Sequence, residues 1–186
     1  MKTVIIYASV HHNNTKELVC AIAAENDIDV VDATKITEKD LSGYDLIGFA
    51  SGIYFGKMHQ SVINFAEVNL PENKDVFLIC TYGGKPVFDS IKKIVKEKQG
   101  RIVGEFSCKG FDTFGLFKLI GGISKGHPDK NDLDNAKTFF KELERRKCIM
   151  SEMMKAPRIN HWINVLRGGK MVFNKETNET IDRVFE

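Results

Sequence analysis

"IIYASVHHNNTKELV" (residues 5–19) decides how this chain is read. A β-branched apolar run stops at Ser9, and two histidines and two asparagines follow. From Thr15 onward Leu18, Val19 and Ile22 recur at helical spacing. A strand that hands over to a helix through small polar residues can seat an anion, because helix N-terminal amides and the helix dipole both favour negative charge. Ser9 and Thr15 add hydroxyls there, and Asn13 and Asn14 add amide donors. The loop holds no lysine or arginine, so a phosphate would rest on neutral donors and a backbone nest. The stretch alone suits equally a helix merely capped by Asn14 or Thr15. The rest of the chain must separate the two readings.

Outward from this stretch, short β-branched runs alternate with helical patterns. Strands are expected over 3–8, 27–33, 45–51, 74–82 and 101–108, and helices over 15–25, 59–68, 88–100 and 129–146. The run "KDVFLICTY" (74–82) is continuously apolar, as a central strand covered on both faces must be. Gly100 is the expected left-handed stop of the third helix, and Asn131 or Asp132 the cap of the last. Five strands separated by helices imply right-handed crossovers: an α/β, three-layer, doubly wound, five-stranded parallel sheet.

The totals agree with an ordinary globular chain. It has 186 residues, 42% hydrophobic and 28% charged. No apolar run approaches the roughly 20 residues that span a bilayer. The start, "MKTVIIYASV", reads as a first strand rather than a signal peptide. Four cysteines (20, 80, 108, 148) form no C-x-x-C pair, and three sit in apolar stretches that suit buried, inert thiols. A cytoplasmic location follows as an expectation. Residues 1–144 hold 18 Lys/Arg against 20 Asp/Glu, whereas 145–186 hold 9 against 5. A basic tail thus follows a slightly acidic body.

In an open parallel sheet, ligands bind beyond the carboxyl ends of the strands. That directs attention to loops 9–15, 51–58, 81–87 and 109–115. "SGIYFGKMH" (51–59) sets Tyr54 and Phe55 between Gly52 and Gly56, and "TYGGKP" (81–86) sets Tyr82 beside Gly83 and Gly84. Other phosphate motifs fail. "GGISKGHP" lacks the lysine and hydroxyl that close a P-loop, and no G-x-G-x-x-G follows the first strand. The histidines at 11, 12, 59, 127 and 161 match no paired-ligand motif, so no metal site is expected.

With these three loops in order, residues 1–146 resemble the flavodoxin family. "SVHHNNT" is similar to its longer phosphate loop of the form S-x-H-x-G-N-T, and "SGIYFG" and "TYGG" fall where its two flavin-ring loops belong. The resemblance implies strand order 2-1-3-4-5 with FMN at the switch point, a placement for which flavodoxin is itself the standard example. It implies that Ser9, His11, Asn13, Asn14 and Thr15 hold the FMN phosphate. Ser51, Gly52, Ile53, Tyr54, Phe55 and Gly56 would line one side of the isoalloxazine, and Thr81, Tyr82, Gly83 and Gly84 its pyrimidine side. Family behaviour further implies that a peptide within 52–56 bonds flavin N5 and responds to redox state.

Three departures stand out. Asn13 replaces the motif's glycine, and asparagine is the best non-glycine residue at positive φ. The stacking tryptophan of many flavodoxins is missing, since Trp162 lies in the tail, and Tyr54 is its expected replacement. The body is nearly neutral where many flavodoxins are strongly acidic.

The resemblance implies an electron carrier, with a flavin-dependent NAD(P)H or quinone reductase as the alternative. A flavin-free regulatory or binding module is the reading from another class. Expected partners are redox proteins or a small electron donor or acceptor, and no nucleic acid. The insert 109–128 is expected to be an apolar flap packed on the sheet by Phe114, Phe117 and Leu119, with Phe111, Asp112, Thr113 and Gly115 close to the pocket. The extension 147–186 is read as an amphipathic basic segment, interrupted at Pro157, that folds back, meets a second subunit, or touches a membrane surface. A hairpin is expected over 170–181.

Overall fold

The computed structural model describes residues 1–155. The expectations for Pro157, Trp162 and the 170–181 hairpin lie outside these residues. The first compact unit is Met1–Glu144. The described elements run β1 (Thr3–Ala8), α1 (Asn14–Ala23), β2 (Ile28–Asp32), β3 (Leu46–Tyr54), β4 (Lys57–Met58), α2 (Gln60–Asn69), β5 (Asp75–Tyr82), α3 (Asp89–Glu97), β6 (Arg101–Lys109), a 3-10 helix (Gly115–Ile120) and α4 (Lys130–Lys155).

The five long strands are parallel in the order β2-β1-β3-β5-β6, which is the expected 2-1-3-4-5 once the two-residue β4 is set aside. β4 folds back antiparallel on the end of β3, pairing Ile53 with Met58 and Tyr54 with Lys57. The connection is two residues, Phe55 (φ 51°) and Gly56 (φ 76°), the double positive φ of a type I′ hairpin. The expected loop 51–58 is thus a hairpin at the edge of the site.

The core lies in two layers, because alternate side chains of each strand point to opposite faces. Val4, Ile6, Phe49, Leu78 and Cys80 meet α2 and α3 on one face. Ile5, Tyr7, Ala50, Phe77 and Ile79 meet α1 and α4 on the other. Leu18, Val19 and Ile22 of α1 are buried as their spacing requires. Each such aliphatic or aromatic burial contributes about 1.5–3 kcal/mol. The central strands tolerate little change: Gly48 stands opposite Phe77, and a Cβ there would lie 2.4 Å from the Phe77 ring.

Three local expectations are corrected. The left-handed residue after α3 is Gln99 (φ 55°), not Gly100. Gly100 is needed instead for close approach, since a Cβ would lie 3.0 Å from the Lys74 carbonyl. α4 is capped not by Asn131 or Asp132 alone but by a reciprocal pair. Asp132 N donates to Asp129 Oδ1, and Asp129 N donates to Asp132 Oδ2, both at 2.9 Å. His127 Nδ1 lies 2.6 Å from the same Asp132 oxygen. These three side chains bring ligand-type atoms within 4.8 Å of one another, and the capping bonds account for the cluster. Lastly, α4 runs to Lys155, nine residues past the expected end, because nothing before Pro157 interrupts its helix formers.

Candidate functional site

The β1–α1 loop turns through two consecutive left-handed residues, His12 (φ 54°) and Asn13 (φ 57°, ψ 13°). Asparagine at 13 therefore adopts the backbone that the motif's glycine would. The first intrahelical bond of α1 runs from Glu17 N to Asn13 O at 2.9 Å, which leaves the amides of Asn14, Thr15 and Lys16 outside the helix ladder. Asn13 makes no capping bond to them, nor does any other described side chain. Asn14 Nδ2 instead donates to Phe111 O (2.8 Å), and Thr15 Oγ1, buried at 1% exposure, pairs with Thr81 Oγ1 at 2.9 Å. The cap-only reading of Asn14 and Thr15 is thereby removed. At the start of the loop, the Ser9 hydroxyl is buried and has no hydrogen-bond partner among the described residues. An orphaned buried hydroxyl costs about 1–3 kcal/mol, which a hydrogen-bonding group arriving there would offset.

The hairpin forms the second wall. Ser51 Oγ braces its base, donating to Gly52 O (2.6 Å) and accepting from His59 N (2.8 Å). Gly52 leaves room for Tyr54, whose hydroxyl would lie 2.9 Å from a Cβ at that position. The Tyr54 ring sits 5.9 Å from His11 and edge-on to His59 at 5.2 Å, and its hydroxyl accepts from Val10 N at 3.4 Å. Burial raises the Tyr54 pKa and, with His11 nearby, lowers that of His59. Tyr54 therefore braces the phosphate-type loop. The aromatic that faces outward is Phe55, 85% exposed, its ring edge-on to Phe114 at 4.9 Å. Phe55 is not a core residue.

The third wall, 81–84, follows β5, and the insert closes over it. Gly83 and Gly110 permit this closure: a Cβ at Gly83 would lie 2.4 Å from Asp112 Oδ2, and one at Gly110 2.7 Å from Asn14 Nδ2. His12 fastens the insert from the other side, Nε2 to Thr113 Oγ1 at 2.8 Å and ring to Phe111 at 4.4 Å. The expectation that the insert packs on the sheet is overturned. Phe114, Phe117 and Leu119 are 55%, 37% and 82% exposed, because the glycine-bounded turn carries them outward rather than over the core.

These walls enclose a cavity of about 310 Å³. His11 and Asn14 reach it from the first loop, together with residues 52–56 and 81–84. Ser9, Asn13, Thr15 and Ser51 do not line it: Thr15 and Ser51 tie the loops through their hydroxyls, Asn13 supplies the left-handed turn, and Ser9 Oγ bonds to none of the described residues. Lys85, Val87, Gly110 and Phe114 also line it; they fall within the expected loops 81–87 and 109–115 but outside the residues that the family resemblance implies. Lys85 was findable, since it follows the "TYGG" turn directly, whereas Val87 and Gly110 carry no chemical signal.

The flavodoxin domain family matches residues 4–109, which contain all three loops. An uncharacterized protein of Methanocaldococcus jannaschii is 42% identical over 147 residues, covering 77% of this chain and 98% of its own. Among solved structures, a flavodoxin from the domain Archaea aligns with TM-score 0.58 at 19% identity, over 78% of this chain and 98% of its own. A Streptococcus pneumoniae flavodoxin aligns with TM-score 0.57 at 18% identity, over 78% and 99%. These structural likenesses concern the fold, and the family match over more than half of the chain decides membership. The chain belongs to the flavodoxin domain family.

Proposed function

We propose that this chain is an FMN-binding electron carrier. The observation that carries the proposal is the buried, unpartnered Ser9 hydroxyl beside the uncapped amides of α1. Ser9, the amides of residues 14–16 and the left-handed turn at Asn13 would hold the phosphate, with His11 at the cavity edge as a further donor. The glycines at 52, 83 and 84 let a flat ring approach the backbone. Phe55 and Phe114 flank the mouth, so one edge of such a ring would stay accessible to a partner. When bound, FMN supplies the electron chemistry, and the protein supplies orientation and electrostatics. Free thiols at all four described cysteines fit a reducing cytoplasm.

The absorption spectrum of the purified protein is the primary test. Protein that is colourless, and stays so after incubation with FMN, would refute the proposal. Ser9→Ala tests the phosphate seat: FMN affinity falls about tenfold or more, riboflavin affinity is unchanged, and the apoprotein is no less stable, because an unpaired hydroxyl has been removed. Equal losses for both flavins would contradict the assignment. Steady turnover of NAD(P)H with a quinone would identify a reductase instead of a carrier.

A further inference from the structure

Around the cavity mouth the strand-end loops carry an unusual charge balance. Loops 9–14, 52–59, 82–88 and 109–129 contain five lysines (57, 85, 109, 118, 125) and two aspartates (112, 129). Residues 1–144 hold 18 Lys/Arg and 20 Asp/Glu in all, so everything outside these loops holds 13 against 18. All five lysines are exposed, and none pairs with a carboxylate among the described residues. The two aspartates are occupied: Asp112 Oδ1 accepts from Phe114 N, and Asp129 caps α4. Elsewhere some lysines find carboxylate partners, as Lys92 does with Glu105 and Lys137 with Glu25, so the feature peculiar to this end is the excess of lysine over acidic residues. The positive charge is therefore concentrated at one end of the sheet and left unneutralised there.

The same end exposes a run of large apolar side chains. Phe55 (85%), Phe114 (55%), Leu119 (82%) and Ile120 (70%) stand out from the hairpin and the 3-10 helix, with Phe55 and Phe114 in ring contact. Exposed apolar patches rimmed by polar residues mark interaction sites on monomers, and here the Phe55–Phe114 pair is the part joined by contact. Aromatic residues at the centre with charges at the rim are the usual anatomy of a protein interface.

We infer that this lysine-rimmed aromatic mouth docks an acidic redox protein. The inference rests on the carrier reading for the partner's redox character, and on charge complementarity for its sign. A second copy of the chain is disfavoured, because a twofold contact through this face sets lysines against lysines. A lipid surface could match the charge but offers no electron donor or acceptor at the cavity mouth. Docking through the patch brings a partner's redox centre to the exposed edge of the cavity, while the lysines steer the encounter and raise its rate at low salt.

The test uses the full-length, FMN-incubated protein and, as probe, a plant-type [2Fe–2S] ferredoxin, which is acidic. A basic c-type cytochrome is the control. Calorimetric titration is expected to show ferredoxin binding at about 50 mM salt, weakened tenfold or more at about 300 mM, with no cytochrome binding. Amide shifts in NMR should fall on 54–58 and 109–125. The double variant Lys118→Glu/Lys125→Glu should weaken ferredoxin binding at least tenfold without changing the flavin spectrum. Leu119→Ser/Ile120→Ser should weaken it even at high salt, where the apolar contact remains.

The inference is overturned if yellow protein fails to bind ferredoxin, if the cytochrome binds better, or if charge reversal has no effect. It is also overturned if the five lysines serve binding to anionic phosphatidylglycerol vesicles, or self-association in the ultracentrifuge, in place of ferredoxin. Colourless protein that still binds ferredoxin through Lys118 and Lys125 would refute the flavin reading and leave the docking surface standing.

Discussion

Thr15 Oγ1 and Thr81 Oγ1 lie 2.9 Å apart, buried between the first turn of α1 and the end of β5. This one bond ties the loop after β1 to the loop after β5, two walls of the cavity separated by 66 residues. Replacing either threonine with valine keeps the shape but strands the other hydroxyl, at a cost of about 1–3 kcal/mol to the apoprotein. The double variant Thr15→Val/Thr81→Val strands nothing and should lie well above the sum of the singles. Urea denaturation of the four proteins measures the coupling. Strict additivity would mean that the two hydroxyls do not sense each other.

Gly48 sits in the middle of β3 directly opposite Phe77 on β5, and the ring fills the space that a side chain would take. Gly48→Ala therefore overpacks the sheet and should destabilise by about 1–3 kcal/mol, although alanine suits a strand better than glycine. Shrinking the ring should relieve the clash. Gly48→Ala in a Phe77→Leu background is expected to cost clearly less than in the parent, as read from denaturation midpoints. An equal cost in both backgrounds would place the strain elsewhere.

Residues whose role is periodic were legible in the sequence. The continuous run 74–82 became the doubly covered β5, and Leu18, Val19 and Ile22 became the buried face of α1. Asn13 was legible for a different reason, its chemistry: it is the non-glycine side chain that tolerates a left-handed backbone. The Thr15–Thr81 bond was hidden because no local pattern reports which loops meet. The hairpin at Phe55–Gly56 lacks the asparagine or aspartate that usually signals a type I′ turn. The insert misled because apolar residues between glycines carry no period, and only the path of the backbone decides whether Phe114 faces the core or the solvent. Thus the scaffold and the strand-end loops that line the candidate cavity could be read, but not the contacts that shape it.

Glu25 bridges Lys137 and Lys141, one helical turn apart on α4, at 2.8 Å each. Hydrogen bonds from first Lys137 and then Lys141 depress its pKa from 4.5 to about 2. A carboxylate depressed in the folded state contributes stability that is complete above its unfolded pKa and is lost as pH falls through the folded value. The contribution should therefore fade between about pH 4.5 and 2. Glu25→Gln should melt below the parent at pH 6, and the gap should close by about pH 2. Because the pair is exposed, added salt should narrow the gap at pH 6. A gap that persists unchanged at both ends of this range would show that Glu25 acts through packing rather than charge.

Phe55 holds a left-handed backbone (φ 51°) at the mouth of the cavity, a conformation that costs a bulky L-residue about 1–2 kcal/mol. Its ring contributes little to the core in return, being 85% exposed and touching Phe114 edge-on. Both Phe55→Asn and Phe55→Val lose that ring contact, but only asparagine accepts the positive φ, forming the Asn-Gly pair favoured in type I′ turns. The asparagine variant should exceed the valine variant in apoprotein stability by about 1–2 kcal/mol, as measured by urea denaturation. The turn borders the cavity, so relieving its strain changes the backbone next to any bound ring. A flavin-loaded Phe55→Asn protein should accordingly show a shifted reduction potential while its FMN affinity changes little. Equal stabilities for the two variants would mean that the turn is relaxed, and an unshifted potential would separate this turn from the ring edge that it borders.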